Sequence, residues 1–171
     1  MKTIAASAAI LLISACAPMV EVPQSRNEYK ASIGAVAGSK AETIVVNRSY
    51  GTVLAVLEQR ATNCFNKTFT EQVVGPSGGS IGTTTWRSSL EKITARQAEL
   101  TVQIRFSPAG GVKTPRGGFY VLAADISEPS SGRTSVTLYG AIEGPYADTY
   151  RVTKAWIEGR DVTCPKLVGE R

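Results

Sequence analysis

Apolar and polar side chains alternate most strictly between residues 98 and 107. Ala98, Leu100, Val102, Ile104 and Phe106 are separated by polar residues at every second position. Because successive side chains of a strand point to opposite faces, this segment has one buried and one wetted face. The pattern is typical of an antiparallel sheet with one covered face.

Five other segments carry strand signals, which are β-branched or aromatic residues bounded by turn residues. They are residues 43–46, 66–74, 83–94, 119–126 and 134–142. Glycine, proline and serine predict a loop over 75–80, a long loop over 108–118 and a turn over 128–133.

Two segments show helical spacing instead. Ser49 can cap a helix whose apolar stripe contains Tyr50, Val53, Leu54, Leu57, Ala61 and Cys64. A second helix is predicted after Gly144-Pro145, with Tyr146, Tyr150, Thr153 and Ile157 on one face. Gly159 can end it.

The order of these elements is strand, helix, a run of strands, and helix. This order predicts an α+β fold, with an antiparallel sheet of about five or six strands packed against two helices. One helix lies near the start of the domain and the other at its C-terminal end. We expect a single domain over residues 41–171, preceded by a flexible tether over residues 16–40, which are rich in Pro, Ser and Gly.

The first sixteen residues have the three parts of a secretory signal. Lys2 supplies a positive charge, residues 4–13 are apolar, and Ser14-Ala15 are small residues before Cys16. The apolar run is too short for a helix that crosses a bilayer, which needs about 20 residues. Residues 1–15 are therefore predicted to be a signal peptide.

Ile13-Ser14-Ala15-Cys16 resembles the lipobox of bacterial lipoproteins. The resemblance implies cleavage after Ala15 and lipid on the Cys16 sulfur, which anchors the chain to a membrane. Ala17, where such proteins carry Asp for inner-membrane retention, implies the outer membrane, facing the periplasm. The alternative is an ordinary secretory signal in which Cys16 is incidental.

Composition and charge limit the classes of possible binding partner. Removing fifteen residues from 171 leaves 156, enough for one core. Without Lys2 the net charge falls from +5 to +4, and the basic residues are scattered. Nucleic acid is not expected as a partner, because the predicted signal sends the protein out of the cytoplasm. The partners expected are the membrane, through lipid on Cys16, and envelope proteins.

Cys64 and Cys164 remain once Cys16 is assigned to lipid. Two cysteines in an oxidising compartment usually pair, so we predict a structural disulfide. Two free thiols or a redox pair are the alternative, although neither cysteine lies in a Cys-x-x-Cys motif.

The sequence lacks the residues of several common catalytic sites. It contains no histidine, which excludes Ser-His-Asp and Cys-His systems and histidine-containing zinc sites. Residues 75–79 match Gly-x-Ser-x-Gly, but a strand follows where hydrolases need a helix. The carboxylates considered as an acid/base pair show no spacing that selects two of them; they are Glu99, Asp125, Glu128, Glu143 and Asp148. We expect no enzyme, cofactor or metal.

Two binding features remain. Lys113 and Arg116 lie in the glycine-rich loop and could meet lipid phosphate, an acidic glycan or a partner protein, or be merely solvated. Tyr146, Tyr150 and Trp156 could line a ligand pocket, or belong to the core.

The segment order resembles the helix-grip layout of some small envelope lipoproteins, including accessory lipoproteins of outer-membrane protein assembly. The resemblance transfers no functional residue. The expected function is a non-catalytic scaffold, accessory or protein-interaction role at the envelope. The alternative is a carrier or sensor of a hydrophobic small ligand.

Overall fold

The fold is a six-stranded antiparallel sheet with helices on both faces. The computed structural model describes residues 21–75, 78–107 and 113–170. The helices are α1 (Arg26–Ser32), α2 (Tyr50–Phe65) and α3 (Ala147–Ile157), and a 3-10 turn (Gly144–Tyr146) precedes α3. The strands are β1 (Ser39–Val46), β2 (Thr68–Gly75), β3 (Gly78–Thr94), β4 (Gln97–Ser107), β5 (Phe119–Ser130) and β6 (Arg133–Ala141). The predicted α+β class is confirmed.

The strands lie in the order β1-β6-β5-β4-β3-β2. Strands β2 to β6 therefore follow one another as a meander, while β1 pairs with the last strand. Helix α2 connects β1 to β2 and carries the chain from one edge of the sheet to the other. Each of the two predicted helices is present, and each predicted strand segment overlaps an observed strand.

The main core lies between the sheet and the pair α2 and α3. The predicted stripe of α2 is buried, and Ser49 caps the helix by accepting a hydrogen bond from the Thr52 amide at 3.2 Å. Trp86, Leu122 and Trp156 are almost completely buried in this core. The inward residues of β4 are the apolar ones that the alternation predicted.

Helix α1 lies on the opposite face of the sheet. Its Arg26 and Lys30 reach Asp125 of β5, which alternates with core residues along that strand. The prediction of a flexible tether through residue 40 is wrong for this part, because residues 26–32 are helical and β1 begins at Ser39. Ion pairs and one buried tyrosine fix the segment, and neither leaves a periodic sequence pattern.

The predicted loop over residues 75–80 is also mostly paired structure. Gly75 ends β2 opposite Gly78, which begins β3, so the two strands continue almost to their turn. Cross-strand pairing thus overrides the loop tendency of glycine and serine. Pro76, Ser77 and residues 108–112 lie outside the described residues, as do the predicted signal peptide, Cys16 and residues 17–20.

Candidate functional site

A disulfide joins Cys64 and Cys164, as predicted. The two sulfur atoms are 1.99 Å apart and the Cα atoms 5.3 Å apart. The bridge fastens the C-terminal segment beside the end of α2, where the Trp86 indole also donates a hydrogen bond to the Val168 carbonyl oxygen at 3.0 Å. The tail is therefore an integral part of the domain.

The aromatic residues of the C-terminal helix divide into two groups. Tyr150 and Trp156 are buried in the core, so they fill the space between α3 and the sheet. Their polar atoms donate hydrogen bonds to Glu42 and to the Val162 carbonyl oxygen. Tyr146 is only partly buried and lines a cleft at the end of the sheet.

This cleft lies between α1, the chain segment before it and the end of the sheet where β1 and β5 begin. Its volume is about 310 Å³. Apolar and aromatic side chains provide most of its wall; they are Val22, Pro23, Tyr29, Ile33, Val36, Phe119, Tyr120, Val121, Ala141 and Tyr146. Pockets of this character usually take apolar groups of a ligand or partner.

Tyr29 fixes the position of α1 beside the cleft. Its hydroxyl donates a hydrogen bond to the Val121 carbonyl oxygen at 2.6 Å, and its ring stacks on Tyr120 with centroids 5.7 Å apart. Burial raises the pKa of Tyr29, and it also raises the pKa of Tyr146. Both phenols therefore stay neutral at physiological pH, so they add no charge to the cleft wall.

Beyond the cleft, a group of charged residues holds α1 on the sheet. Asp125 lies 2.5 Å from Arg26 Nη2 and 2.5 Å from Lys30 Nζ, and it accepts a hydrogen bond from the Tyr139 hydroxyl at 3.1 Å. Arg26 Nη1 is also 3.1 Å from Glu99 Oε1. Burial tends to raise the pKa of Asp125, but the hydrogen bonds from Lys30 and Arg26 outweigh it and lower the pKa.

Of the carboxylates considered at the sequence level, Glu99 and Asp125 line one pocket of about 290 Å³, which Lys30 also lines. Glu99 and Asp125 are opposite each other on β4 and β5, but both face Arg26 beneath α1. Glu128 pairs with Arg96 at 3.7 Å, and Asp148 pairs with Arg151 at 3.1 Å. Glu99 and Asp125 therefore share a pocket, but both are already paired with the Arg26 guanidinium.

The predicted basic loop has its described residues, 113–118, at the same end of the sheet as the cleft. Lys113 and Arg116 are both exposed. The Gln103 amide donates hydrogen bonds to the carbonyl oxygens of Arg116 and Gly118, at 3.0 and 2.9 Å. Gly117 has a φ of +88°, a backbone conformation that residues with a side chain rarely adopt, so the turn favours glycine here.

Sequence reasoning missed two arginines near this loop. Arg87 of β3 is the register partner of Gln103, and Arg105 is two residues further along β4. The side chains of Arg87, Gln103 and Arg105 point to the face of the sheet opposite α2 and α3. The alternation in β4 assigns Arg105 to the wetted face, but the register that brings Arg87 beside it is not visible in the sequence.

Comparison with known proteins gave no family model that matches the chain and no curated protein that is significantly similar to it.

Proposed function

We propose that this protein is a lipid-anchored accessory protein of the bacterial envelope, which binds a partner protein and catalyses no reaction. The lipobox-like residues before Cys16 support the anchor, and residues 1–15 support export. The disulfide between Cys64 and Cys164 supports an oxidising compartment, since such bonds are rare in the cytosol.

The apolar cleft is the observation that carries the binding role. Val36 at its mouth has 45 % of its surface exposed, and the aromatic walls behind it reach the half-buried Tyr120 and Phe119. Exposed apolar surface with a concave shape favours a partner that contributes apolar side chains. With a volume of about 310 Å³, the cleft has room for one or two large side chains of a partner segment.

The cleft also lies close to the proposed anchor. Glu21 belongs to its wall, and only five peptide units separate Glu21 from Cys16. An extended chain of that length spans about 17 Å, so a partner in the cleft would sit near the membrane surface. Partners that are themselves embedded in or docked on that membrane fit this position.

The anchor is tested by replacing Cys16 with serine. We expect Cys16→Ser to abolish acyl labelling and to release the protein from membranes washed at high salt, which screens electrostatic binding. Mass analysis of the N-terminal peptide of the wild-type protein should show diacylglycerol on residue 16. Acyl labelling that persists in Cys16→Ser, or an intact leader without lipid, would refute the anchor.

The cleft is tested by photo-crosslinking in cells. A crosslinking amino acid at position 36 should give a defined protein adduct, and the further change Ala141→Trp, which fills the cleft, should reduce that adduct at least fivefold. Position 45 is the matched control, because Val45 is 50 % exposed but lies at the other end of β1. Equal adducts at positions 36 and 45, or an adduct indifferent to Ala141→Trp, would contradict the proposal.

A second function is favoured by the same cleft, namely carriage or sensing of a hydrophobic small ligand. Its volume of about 310 Å³ falls at the lower end of the range for small-molecule pockets. Native mass spectrometry of protein extracted gently from membranes distinguishes the two functions. A co-purifying small molecule that Ala141→Trp removes would favour the ligand over the partner protein.

A further inference from the structure

Two arginines lie on the half of the sheet that α1 leaves uncovered, and the backbone of a third is held next to them by Gln103. Arg87 and Arg105 are diagonal neighbours on β3 and β4, each beside Gln103. Side chains in this relation have Cα atoms about 7–8 Å apart. Gln103 also holds the backbone of Arg116 through its amide, at 3.0 Å from the Arg116 carbonyl oxygen. We call Arg87, Arg105 and Arg116 the arginine patch.

The arginine patch has no internal counter-charge in the parts of the chain that the structure describes. There, no carboxylate lies within ion-pair distance of Arg87, Arg105 or Arg116, whereas Arg26 and Lys30 are each paired beneath α1. The three side chains are exposed. Like charges held close together repel one another, so their clustering costs stability unless an anion binds between them.

The surroundings of the patch suit an oxyanion. Side chains with hydroxyl groups share its face of β3 and β4; they are Thr83, Thr85, Ser89, Thr101 and Ser107. Hydroxyl groups donate to phosphate and carboxylate oxygens, and guanidinium groups bind such oxygens in a bidentate manner. The patch therefore has the donors that a phosphate-rich surface requires.

The position of the patch selects the source of the phosphate. Residues 113–118 lead directly into Phe119, which lines the cleft together with Glu21. The arginine patch is thus at the same end of the sheet as Glu21, and the five peptide units between Glu21 and Cys16 can span at most about 17 Å. Arg87, Arg105 and their hydroxyl neighbours point to one side of the sheet, which suits a broad surface better than a single small anion.

We propose that the arginine patch binds the anionic phospholipid headgroups of the membrane that holds the N-terminus. Which membrane the patch meets rests on the proposed lipid anchor. The binding of anionic lipid is a property of the patch that does not depend on the anchor. Each arginine near an anionic bilayer raises partitioning about fivefold, so the three together contribute about 100-fold at low salt. The patch would hold the domain against the bilayer in one orientation.

Vesicle co-sedimentation of the mature chain, residues 16–171 with Cys16→Ser, tests the patch without the lipid anchor or the apolar leader. We expect binding to vesicles that contain 30 % phosphatidylglycerol, and much weaker binding to pure phosphatidylcholine. The triple variant Arg87→Gln/Arg105→Gln/Arg116→Gln should lose at least 20-fold in partitioning. The control Lys92→Gln/Arg133→Gln/Lys166→Gln removes the same charge from exposed residues elsewhere and should lose less than threefold.

Each other outcome counts against the proposal. Equal losses of vesicle binding in the two triple variants would show that net charge, and not the patch, causes the binding. If the protein does not bind the anionic vesicles at all, the patch does not bind lipid. Binding to purified peptidoglycan but not to vesicles would assign the patch to the cell wall instead. The acyl mass on Cys16 is measured separately on the unmodified chain, so failure of the anchor and failure of the patch are distinguishable.

Discussion

The hydroxyl of Tyr29 and the carbonyl oxygen of Val121 are 2.6 Å apart, and this hydrogen bond joins α1 to a central strand of the sheet. Tyr29 is the one buried residue of α1. A helix of seven residues is not stable in isolation, so α1 depends on such contacts with the sheet.

Replacing Tyr29 with phenylalanine should remove this hydrogen bond and keep the ring. We expect the free energy of unfolding to fall by about 1 kcal/mol, because the Val121 carbonyl oxygen loses its side-chain donor. Tyr120→Phe is the control, since it changes the stacked partner, and it should cost less than about 0.5 kcal/mol. Urea denaturation measures both, and equal effects would contradict the role of the hydroxyl.

Asp125 is expected to control the attachment of α1. Asp125→Asn weakens the contacts to Arg26 and Lys30 and leaves the mostly buried Arg26 poorly compensated, which should cost about 1–2 kcal/mol. Amide hydrogen exchange in residues 26–32 should accelerate more than in α2. Asp161→Asn breaks the ion pair with Arg60, in which Asp161 is 86 % exposed, and should change little. Exchange that is uniform across the chain would argue against a local effect.

Glu42 should make stability depend on pH. The hydrogen bond from Lys154, with further ones from Lys40 and Tyr150, lowers the pKa of Glu42 from 4.5 to about 2 in the folded state. Its stabilisation is therefore complete above about pH 4.5 and is lost as the pH falls towards 2. It amounts to about 1 kcal/mol, because the pair is partly exposed.

Melting temperatures between pH 6 and pH 2 check this prediction. Glu42→Gln should melt below the unmodified protein at pH 6 and converge with it near pH 2. Glu58→Gln, an exposed residue of α2, serves as the control and should follow the unmodified protein. A difference between the unmodified protein and Glu42→Gln that is constant over the whole range would exclude titration of Glu42 as the cause.

The disulfide should be a large contributor to stability. Cys64 and Cys164 are separated by 100 residues, and closing a loop of that length restricts the unfolded chain by roughly 4–5 kcal/mol in the chain-entropy treatment. The double variant Cys64→Ala/Cys164→Ala should lose most of that amount in chemical denaturation. Reduction should lower the unfolding midpoint of the wild-type protein and leave that of the double variant unchanged. If reduction shifts both midpoints equally, the disulfide is not the stabilising element.

The sequence predicted the helices and strands in which buried apolar residues recur at helical or strand spacing. The stripe from Tyr50 to Cys64 gave α2, and the alternation from Ala98 to Phe106 gave β4, because each element packs one face against the core. Tyr150 and Trp156 were likewise placed on a helix, and the interpretation that they belong to the core is confirmed.

The missed features depend on contacts between distant residues. Helix α1 is held by Asp125, about 100 positions away. Its local signal is short: Ser25 caps the helix by accepting a hydrogen bond from the Glu28 amide at 3.2 Å. The cleft forms only when α1, β5 and the turn before α3 meet. The arginine patch depends on the register of β3 and β4, which brings Arg87 beside Arg105 although 18 positions separate them.

The pairing of β1 with β6 determines the order in which the sheet can be completed. As the chain emerges from its N-terminus, residues 39–46 find no partner until residues 133–141 appear. The hairpins from β2 to β6 can form earlier, because each joins neighbours in sequence. The first strand of the sheet therefore pairs only with the last one, and without β1 one edge of β6 would be open to other chains.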